Sequence, residues 1–307
     1  MKLPEKFILR YEKIIPEFTL FLKSLEKKRK LSIRINSLKV NKRMMEEILK
    51  KYDYESITFY PYAFRLKSER DEFSIGNTLE HFLGYIYVQD IASMIPPIVL
   101  EPKKYEKVLD LTAAPGSKTT LISAIMENTG LIVANDINID RLKALTGNID
   151  RMGCLNVVIT NLHGERFGNL FPEYFDKVLL DAPCSSEGTI SKNYEVLNHW
   201  NELYINKMAK IQKNLIISAF KSLKKDGILV YSTCTFAPEE NEGVIDFLLR
   251  RYDNALLEEI NIPGIKTCEG ITEWEGFKNE ELKRCVRIYP HYNECEGFFI
   301  ARIRKLP

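Results

Sequence analysis

The sequence predicts an α/β protein, a doubly wound parallel sheet preceded by a small N-terminal α/β unit, on three observations. From Lys107 onward, short apolar and β-branched runs alternate with segments of helical period, the mark of a parallel sheet with helices on both faces. The first of these runs opens into a loop of small residues and then a helix, "LDLTAAPGSKTT" from Leu109 to Thr120. The chain of 307 residues is 45% apolar and 28% charged, an ordinary globular composition long enough for one large core and one smaller one.

Taken in order, "PEKFILRYEKII" and "EFTLFLKSLEKK" read as helices and the alternating "LSIRINSLK" as a strand. "NKRMMEEILKKY" is an amphipathic helix and "ITFYPYAFRL" a strand, which closes a first unit at residue 75 and leaves 76–307 to the larger domain. "GYIYVQDIASMIPPIVL" reads as a strand edge and then a helix that Pro96 and Pro97 close. The strand "KVLDLT", the helix "PGSKTTLISAIME", the strand "GLIVANDI", the helix "NIDRLKALTGNIDRMG" and the strand "NVVITNL" follow. "FDKVLLDAP" is a fourth strand, and the long helix "NELYINKMAKIQKNLIISAFKSL" leads through the turn signal "KKDG" to the strand "GILVYSTC". Pro238 at a first-turn position, with Glu239 and Glu240 behind it, starts a helix through "VIDFLL". "CVRIYP" and "GFFIARI" form a closing hairpin at one sheet edge.

The net charge is +2, yet residues 1 to 50 hold 14 Lys and Arg against 6 Glu. On charge alone such a stretch reads as a solvated helical face, with a polyanion-binding surface as the alternative. No apolar run reaches transmembrane length, and "MKLPEKFILRYEK" lacks the apolar core and cleavage site of a signal peptide, so a cytoplasmic protein is expected. Six cysteines are scattered singly with no C-x-x-C pair, which removes the usual zinc and thioredoxin-type signatures, and no metal is expected. Burial as small hydrophobes is the default for each.

Ligands of such sheets bind beyond the carboxyl ends of the strands. The loop formed by Thr112, Ala113, Ala114, Pro115, Gly116, Ser117 and Lys118 lets a ligand approach the backbone, and the amides of the helix start attract negative charge. It matches neither G-x-G-x-x-G nor a P-loop, so a diphosphate suits it poorly. Asp136 ends the next strand, 20 residues after Gly116, where a carboxylate accepts hydrogen bonds from ribose hydroxyls. A ligand with adenosine and no phosphates fits the pair, and S-adenosylmethionine is one. Cys184, in the rigid "DAPC" turn that begins with Asp181, and Cys234 both follow strands expected to be neighbours beside that loop.

Together, "IRINSLK", "QDIASMIPP", "LDLTAAPGSKTT", "NDI", "FDKVLLDAPCSS", "YSTCTFAPEENEGVI" and "RIYPHYNECEGFFIARI" resemble the RNA cytosine-C5 methyltransferases related to the bacterial Sun/RsmB proteins, from about Ser32 to the C-terminus. The resemblance implies a Rossmann-like S-adenosylmethionine-dependent methyltransferase fold, a small RNA-binding region in front of it, and a covalent Cys–C6 adduct on the way to 5-methylcytosine. C5 of cytosine is a poor nucleophile, and attack of a thiolate on C6 makes it enamine-like. By the family pattern Cys234 is the nucleophile and Cys184 assists breakdown of the adduct, as base or relay. Asp181 faces the base edge, and Lys118 orients the base or stabilises charge. The cofactor site comprises Thr112 to Lys118, Asp136, Arg141 and Asp181. His163 stands where the family carries an adenine-contacting aspartate, and a neutral imidazole could take that bond. Arg34 and Asn36 contact RNA backbone or support the catalytic loop, and the basic N-terminus now reads as an RNA surface. Thr112 and Ser186 depart from the commoner cysteine and glycine or alanine. A monomer is expected, and tRNA is the first choice of substrate for so compact a chain. Ribosomal RNA is the alternative substrate, and a non-catalytic RNA-binding or assembly factor is the reading from another class.

Overall fold

The computed structural model describes residues 3–27, 29–67 and 75–307. Helices α1 (Glu5–Tyr11) and α2 (Phe18–Glu26) open the chain; Lys28, the last residue of the second expected helix, lies outside the described residues. An antiparallel sheet of β1 (Ser32–Ile35), β2 (Tyr54–Ser56), β3 (Ala63–Leu66) and β4 (Ile86–Val88), in the order β2-β3-β1-β4, packs against α3 (Lys42–Leu49) through Ile33, Ile35, Ile48 and Leu49. The run "ITFYPYAFRL" does not form one strand. A turn in which the Ala63 amide donates to the Tyr60 carbonyl breaks it, and only Ala63–Leu66 pairs with β1. The expected unit end at residue 75 also shifts. Residues 68–74 lie outside the described residues, and β4, beyond them, pairs with β1, so this sheet draws on the chain up to Val88.

Helix α4 (Ile91–Leu100) contains Pro96 and Pro97 rather than ending at them. Eight of its ten residues are buried, and that packing outweighs the intrahelical bonds the prolines cannot make. The carbonyl of Ser93, which the missing N–H of Pro97 would have served, instead accepts from Gln89 Nε2 at 3.2 Å.

The large sheet is built from β5 (Lys107–Asp110), α5 (Ser117–Ile125), β6 (Leu131–Asn135), α6 (Ile139–Met152), β7 (Val157–Thr160), β8 (Phe175–Asp181), α7 (Glu202–Ser222), β9 (Leu223–Thr233) and α8 (Glu242–Leu249). Then come β10 (Ala255–Glu258), β11 (Thr267–Glu269), the small hairpin β12 (Glu273–Trp274) and β13 (Phe277–Lys278), and the closing pair β14 (Val286–Ile288) and β15 (Phe298–Lys305). Strands run in the order β7-β6-β5-β8-β9-β15-β14-β11, with β10 paired to β15. β5 through β9 are parallel, and β15 lies antiparallel against β9. Each central strand alternates between two apolar layers. Leu109, Val178, Leu180, Leu229 and Tyr231 face α7 and α8, whereas Val108, Leu179 and Val230 face α4 and α5. This is the Rossmann-like methyltransferase architecture expected.

The chain leaves β5 toward β6 on one side and toward β8 and β9 on the other, so a topological switch lies between β5 and β8. Two local readings change. "KKDG" is a bulge inside β9 with Asp226 at φ +61°, and α8 begins at Glu242, because Glu240 and Asn241 turn inward.

Candidate active site

Three carboxyl ends converge at that switch. Beyond β5, Thr112 Oγ1 donates to the Asp181 carbonyl at 2.8 Å and ties the small-residue loop to the end of β8. Gly116 starts α5 at φ +103°, where a Cβ would lie 2.8 Å from Leu145 Cδ1, so only glycine makes the turn. No side chain caps α5, which leaves the amides of its first turn for a ligand. Ala113, Ala114 and Pro115 form the wall before it, and Asp136 lies buried behind Ala114, accepting from the Ala114 amide at 3.2 Å and the Asn138 amide at 2.9 Å. Arg141 Nη1 is 3.5 Å from the Asp136 carboxylate, and its other terminal nitrogen donates to the Ala114 carbonyl. The set fits S-adenosylmethionine: a carboxylate for ribose hydroxyls, an uncapped helix start for the amino-acid carboxylate, and an apolar residue, Ile137, 58% exposed beside Asp136. His163 is exposed on the loop after β7, one residue past Leu162, whose backbone is bonded to Asn135.

The second cluster is more polar. Lys118 Nζ lies 2.7 Å from Asp181 Oδ2, donates to Ser93 Oγ at 3.0 Å and sits 5.5 Å from the centre of the Phe298 ring. Burial alone would lower the Lys118 pKa, but the Asp181 carboxylate outweighs it, with Asp110 and Cys234 adding to the effect, and the ammonium is held above its usual range. Asp181 Oδ1 accepts from Ser232 Oγ at 2.7 Å.

The two thiols, on the turns after neighbouring parallel strands β8 and β9, face each other at 3.4 Å, and neither is in a disulfide. Cys184 is held well above the ordinary thiol range by its hydrogen bond to Cys234, by burial and by the charge of Cys234. Main-chain bonds lock the turn of Cys234: the Gly188 amide donates to the Cys234 carbonyl at 2.8 Å, and the Gly297 amide donates to the Gly188 carbonyl at 3.0 Å. A Cβ on Gly188 would lie 2.2 Å from the Gly297 oxygen, so the contact requires glycine.

Arg34 and Asn36 were expected to touch RNA or brace the loop, and both are fully buried. Arg34 donates to Gln89 Oε1 at 3.1 Å, Thr120 Oγ1 at 2.8 Å and the Ser117 carbonyl at 3.3 Å. Asn36 donates to the carbonyls of Gly84 and Met152 at 2.9 and 2.8 Å. Neither side chain reaches a surface where an RNA phosphate could meet it; both bind the N-terminal sheet to the catalytic domain.

Several groups escaped the sequence reading. Asp110, at the end of β5, is buried with one oxygen bonded to Thr119 Oγ1 at 2.7 Å and the other without a partner among the described residues, and burial pushes it up to about 7. Buried Glu187 accepts from Tyr11 Oη at 2.6 Å, Trp200 Nε1 at 2.7 Å, the Phe236 amide at 3.0 Å and Thr235 Oγ1. It joins α1 to the turns of both cysteines. Glu240 accepts from the Ser185 amide at 3.0 Å, from Gln212 Nε2 at 2.8 Å and from Ser185 Oγ. The signal for the two glutamates is their place beside the cysteine motifs, in "PCSSE" and "PEENE".

Comparison with known proteins agrees with this geometry. The family described as "16S rRNA methyltransferase RsmB/F" matches residues 97–304, and the "N-terminal domain of 16S rRNA methyltransferase RsmF" matches 3–91. A Pyrococcus abyssi protein named tRNA (cytosine(49)-C(5))-methyltransferase is 44% identical over 99% of this chain and 97% of its own. Ribosomal RNA small subunit methyltransferase F of Vibrio atlanticus is 40% identical over 99% of this chain, which spans only 64% of that relative's length. Among solved structures, a methyltransferase homolog from Pyrococcus horikoshii superposes with a TM-score of 0.87 at 36% identity, covering 99% of this chain and 95% of its own. NSun6 from the same organism, solved with SFG, gives 0.85 at 25% identity over 99% and 98%. Two sulfurs at adjoining strand ends beside an adenosyl loop, and matches that run the length of the chain, carry one conclusion: the chain belongs to the RsmB/F family of S-adenosylmethionine-dependent RNA cytosine-C5 methyltransferases.

Proposed function

We propose that the chain methylates C5 of a cytidine in tRNA, with Cys234 as nucleophile and Cys184 as the group that lets the product go. The 3.4 Å approach of the two sulfurs carries this reading. Asp181, ion-paired with Lys118, accepts from the cytosine N4 amine, which uracil lacks, and so orients C6 toward Cys234. The Cys234 sulfur bonds to C6, and the electron pair released onto C5 takes the methyl group. S-adenosylmethionine, held by Thr112 to Lys118, Asp136 and Arg141, with His163 at the adenine end, supplies that electrophilic methyl. Once Cys234 is a thioether, its thiol hydrogen bond and its charge no longer raise the Cys184 pKa, and the Cys184 thiol becomes easier to ionise. Cys184 then serves as base or relay for the C5 proton. The C–H electrons re-form the C5–C6 double bond, and the sulfur–C6 bond breaks to return the Cys234 thiolate.

The 44% identity to the archaeal tRNA enzyme over 99% of this chain supports tRNA. Ribosomal RNA is the second reading, supported by the family description itself. The basic first 50 residues supply phosphate contacts, and the target base leaves its stack to reach the sulfur. One chain supplies every group of the site, which supports a monomer, and relatives from archaea and bacteria support a cytoplasmic enzyme. Among the described residues, no helix is long and apolar enough to cross a membrane.

RNA carrying 5-azacytidine, whose position 5 has no proton to lose, traps the adduct. Wild type should give a denaturation-resistant complex and Cys234→Ala none. On ordinary RNA, Cys184→Ala should accumulate the complex that wild type resolves. Exchanged phenotypes would reverse the two roles, and no adduct with labelled methyl transfer absent would leave a non-catalytic RNA-binding factor.

A further inference from the structure

A cavity of about 320 Å³, within the size range of small-ligand pockets, opens beside the catalytic cluster between the start of β1, the end of β4 and the segment after Cys184. Arg29, Gln89, Asp90, Ser191, Lys192 and Glu296 are on its wall, and none of them belongs to the cofactor loop. Two routes connect it to the chemistry. Gln89 donates to the Ser93 carbonyl, and the Ser93 hydroxyl accepts from Lys118. Glu296 leads through Gly297 to Phe298, the ring beneath Lys118.

The wall holds donors without acceptors. Both terminal nitrogens of Arg29 and the Ser191 hydroxyl are shielded from water and have no hydrogen-bond partner among the described residues. Buried polar groups in folded proteins are nearly always paired, so such a set marks where a ligand's oxygens belong. The two terminal nitrogens of Arg29 give up no bond among the described residues when the fork turns to an entering acceptor. Lys192, largely exposed, sits at the rim 3.7 Å from Glu296. Of the two acids, Asp90 is already engaged by the amides of Ala92 and Glu296. Glu296, 9% exposed, has Lys192 at 3.7 Å as its ion-pair partner among the described residues and lines the cavity. A guanidinium fork, an ammonium and a hydroxyl suit a phosphodiester, and a single carboxyl suits a ribose hydroxyl, the group that separates RNA from DNA.

We propose that this cavity receives the ribose-phosphate of the nucleotide adjoining the target cytidine, with Arg29, Ser191 and Lys192 on the phosphate oxygens and Glu296 on the 2′-hydroxyl. The assignment rests on the RNA methyltransferase reading, and it places the first backbone contact within two residues of Phe298. The test uses a synthetic RNA stem–loop that wild type methylates, prepared with a neutral methylphosphonate at the phosphate either 5′ or 3′ of the target cytidine. One of the two substitutions should weaken wild-type binding about 10- to 100-fold, the loss of a charge-assisted bond. Arg29→Met should weaken unmodified RNA to a similar degree, and the methylphosphonate should then cost this variant nothing further. Lys192→Ala, a change at an exposed side chain, should show the same pattern at smaller size, and equal S-adenosylmethionine affinity reports that each variant is folded. Full additivity of variant and methylphosphonate, or wild-type affinity in both variants, overturns the cavity assignment while wild-type turnover keeps the enzyme reading intact. Absence of turnover on every RNA overturns both.

Discussion

Replacing Glu187 by glutamine keeps the side chain's size and removes half of its acceptor capacity. The carboxylate takes Tyr11 Oη and Trp200 Nε1 on one oxygen and Thr235 Oγ1 and the Phe236 amide on the other. An amide offers one oxygen, so whichever way it flips, two donors face its NH2. Two lost bonds to a charged acceptor at about 1.5–3 kcal/mol each predict a loss of about 3–6 kcal/mol, read by urea unfolding. Tyr11→Phe removes one donor and should cost about half as much. The two variants should also differ in function. Glu187→Gln loosens Thr235 and Phe236, the residues that follow Cys234, and should slow single-turnover adduct formation on 5-azacytidine RNA; Tyr11→Phe leaves those contacts and should slow it less. If Glu187→Gln unfolds within 1 kcal/mol of wild type and traps RNA at the same rate, the clamp described here has no mechanical role.

Three further outcomes follow from the structure. Burial raises Asp110 to about 7, and burial with the nearby Glu187 charge raises Glu240 to about 8. The folded protein then holds protons that the unfolded chain releases above a pH of about 4, a stabilisation complete below that pH and lost as pH rises through about 7 to 8. Unfolding free energy should therefore fall between about pH 5 and pH 8, and Glu240→Gln should flatten the slope. Gly116→Ala, at φ +103° with Leu145 in the way, should weaken S-adenosylmethionine binding measured by calorimetry about tenfold or more, with a stability cost of about 1–3 kcal/mol. Arg287→Met strands the buried Glu242 carboxylate, which Arg287 clamps with two 2.6 Å bonds, and should cost about 3–5 kcal/mol in urea, much of it recovered in the double variant with Glu242→Gln.

The chemistry was more legible than its supports. Asp181 ends a strand, and both thiols and the loop at Gly116 follow strands, whose apolar pattern is local, so their place at the carboxyl edge can be read from neighbouring residues. Arg34 could not be read in that way. Its acceptors, Gln89, Ser117 and Thr120, lie 55 to 86 residues downstream, and a basic residue in a basic stretch looks solvated until they are known. The same holds for Pro97, tolerated because Gln89 serves the carbonyl it neglects, and for Glu187, whose four donors come from three distant segments. Composition reports what a side chain is; these positions depend on which partner arrives.

The lacing of Gly188 to Cys234 and of Gly297 to Gly188 uses amides and carbonyls alone. These bonds hold the Cys234 turn whatever the side chains at the rim, provided those two positions stay bare and the Glu187 clamp is kept. A lineage could retune which RNA it accepts by redecorating the rim while inheriting an unmoved Cys234 turn.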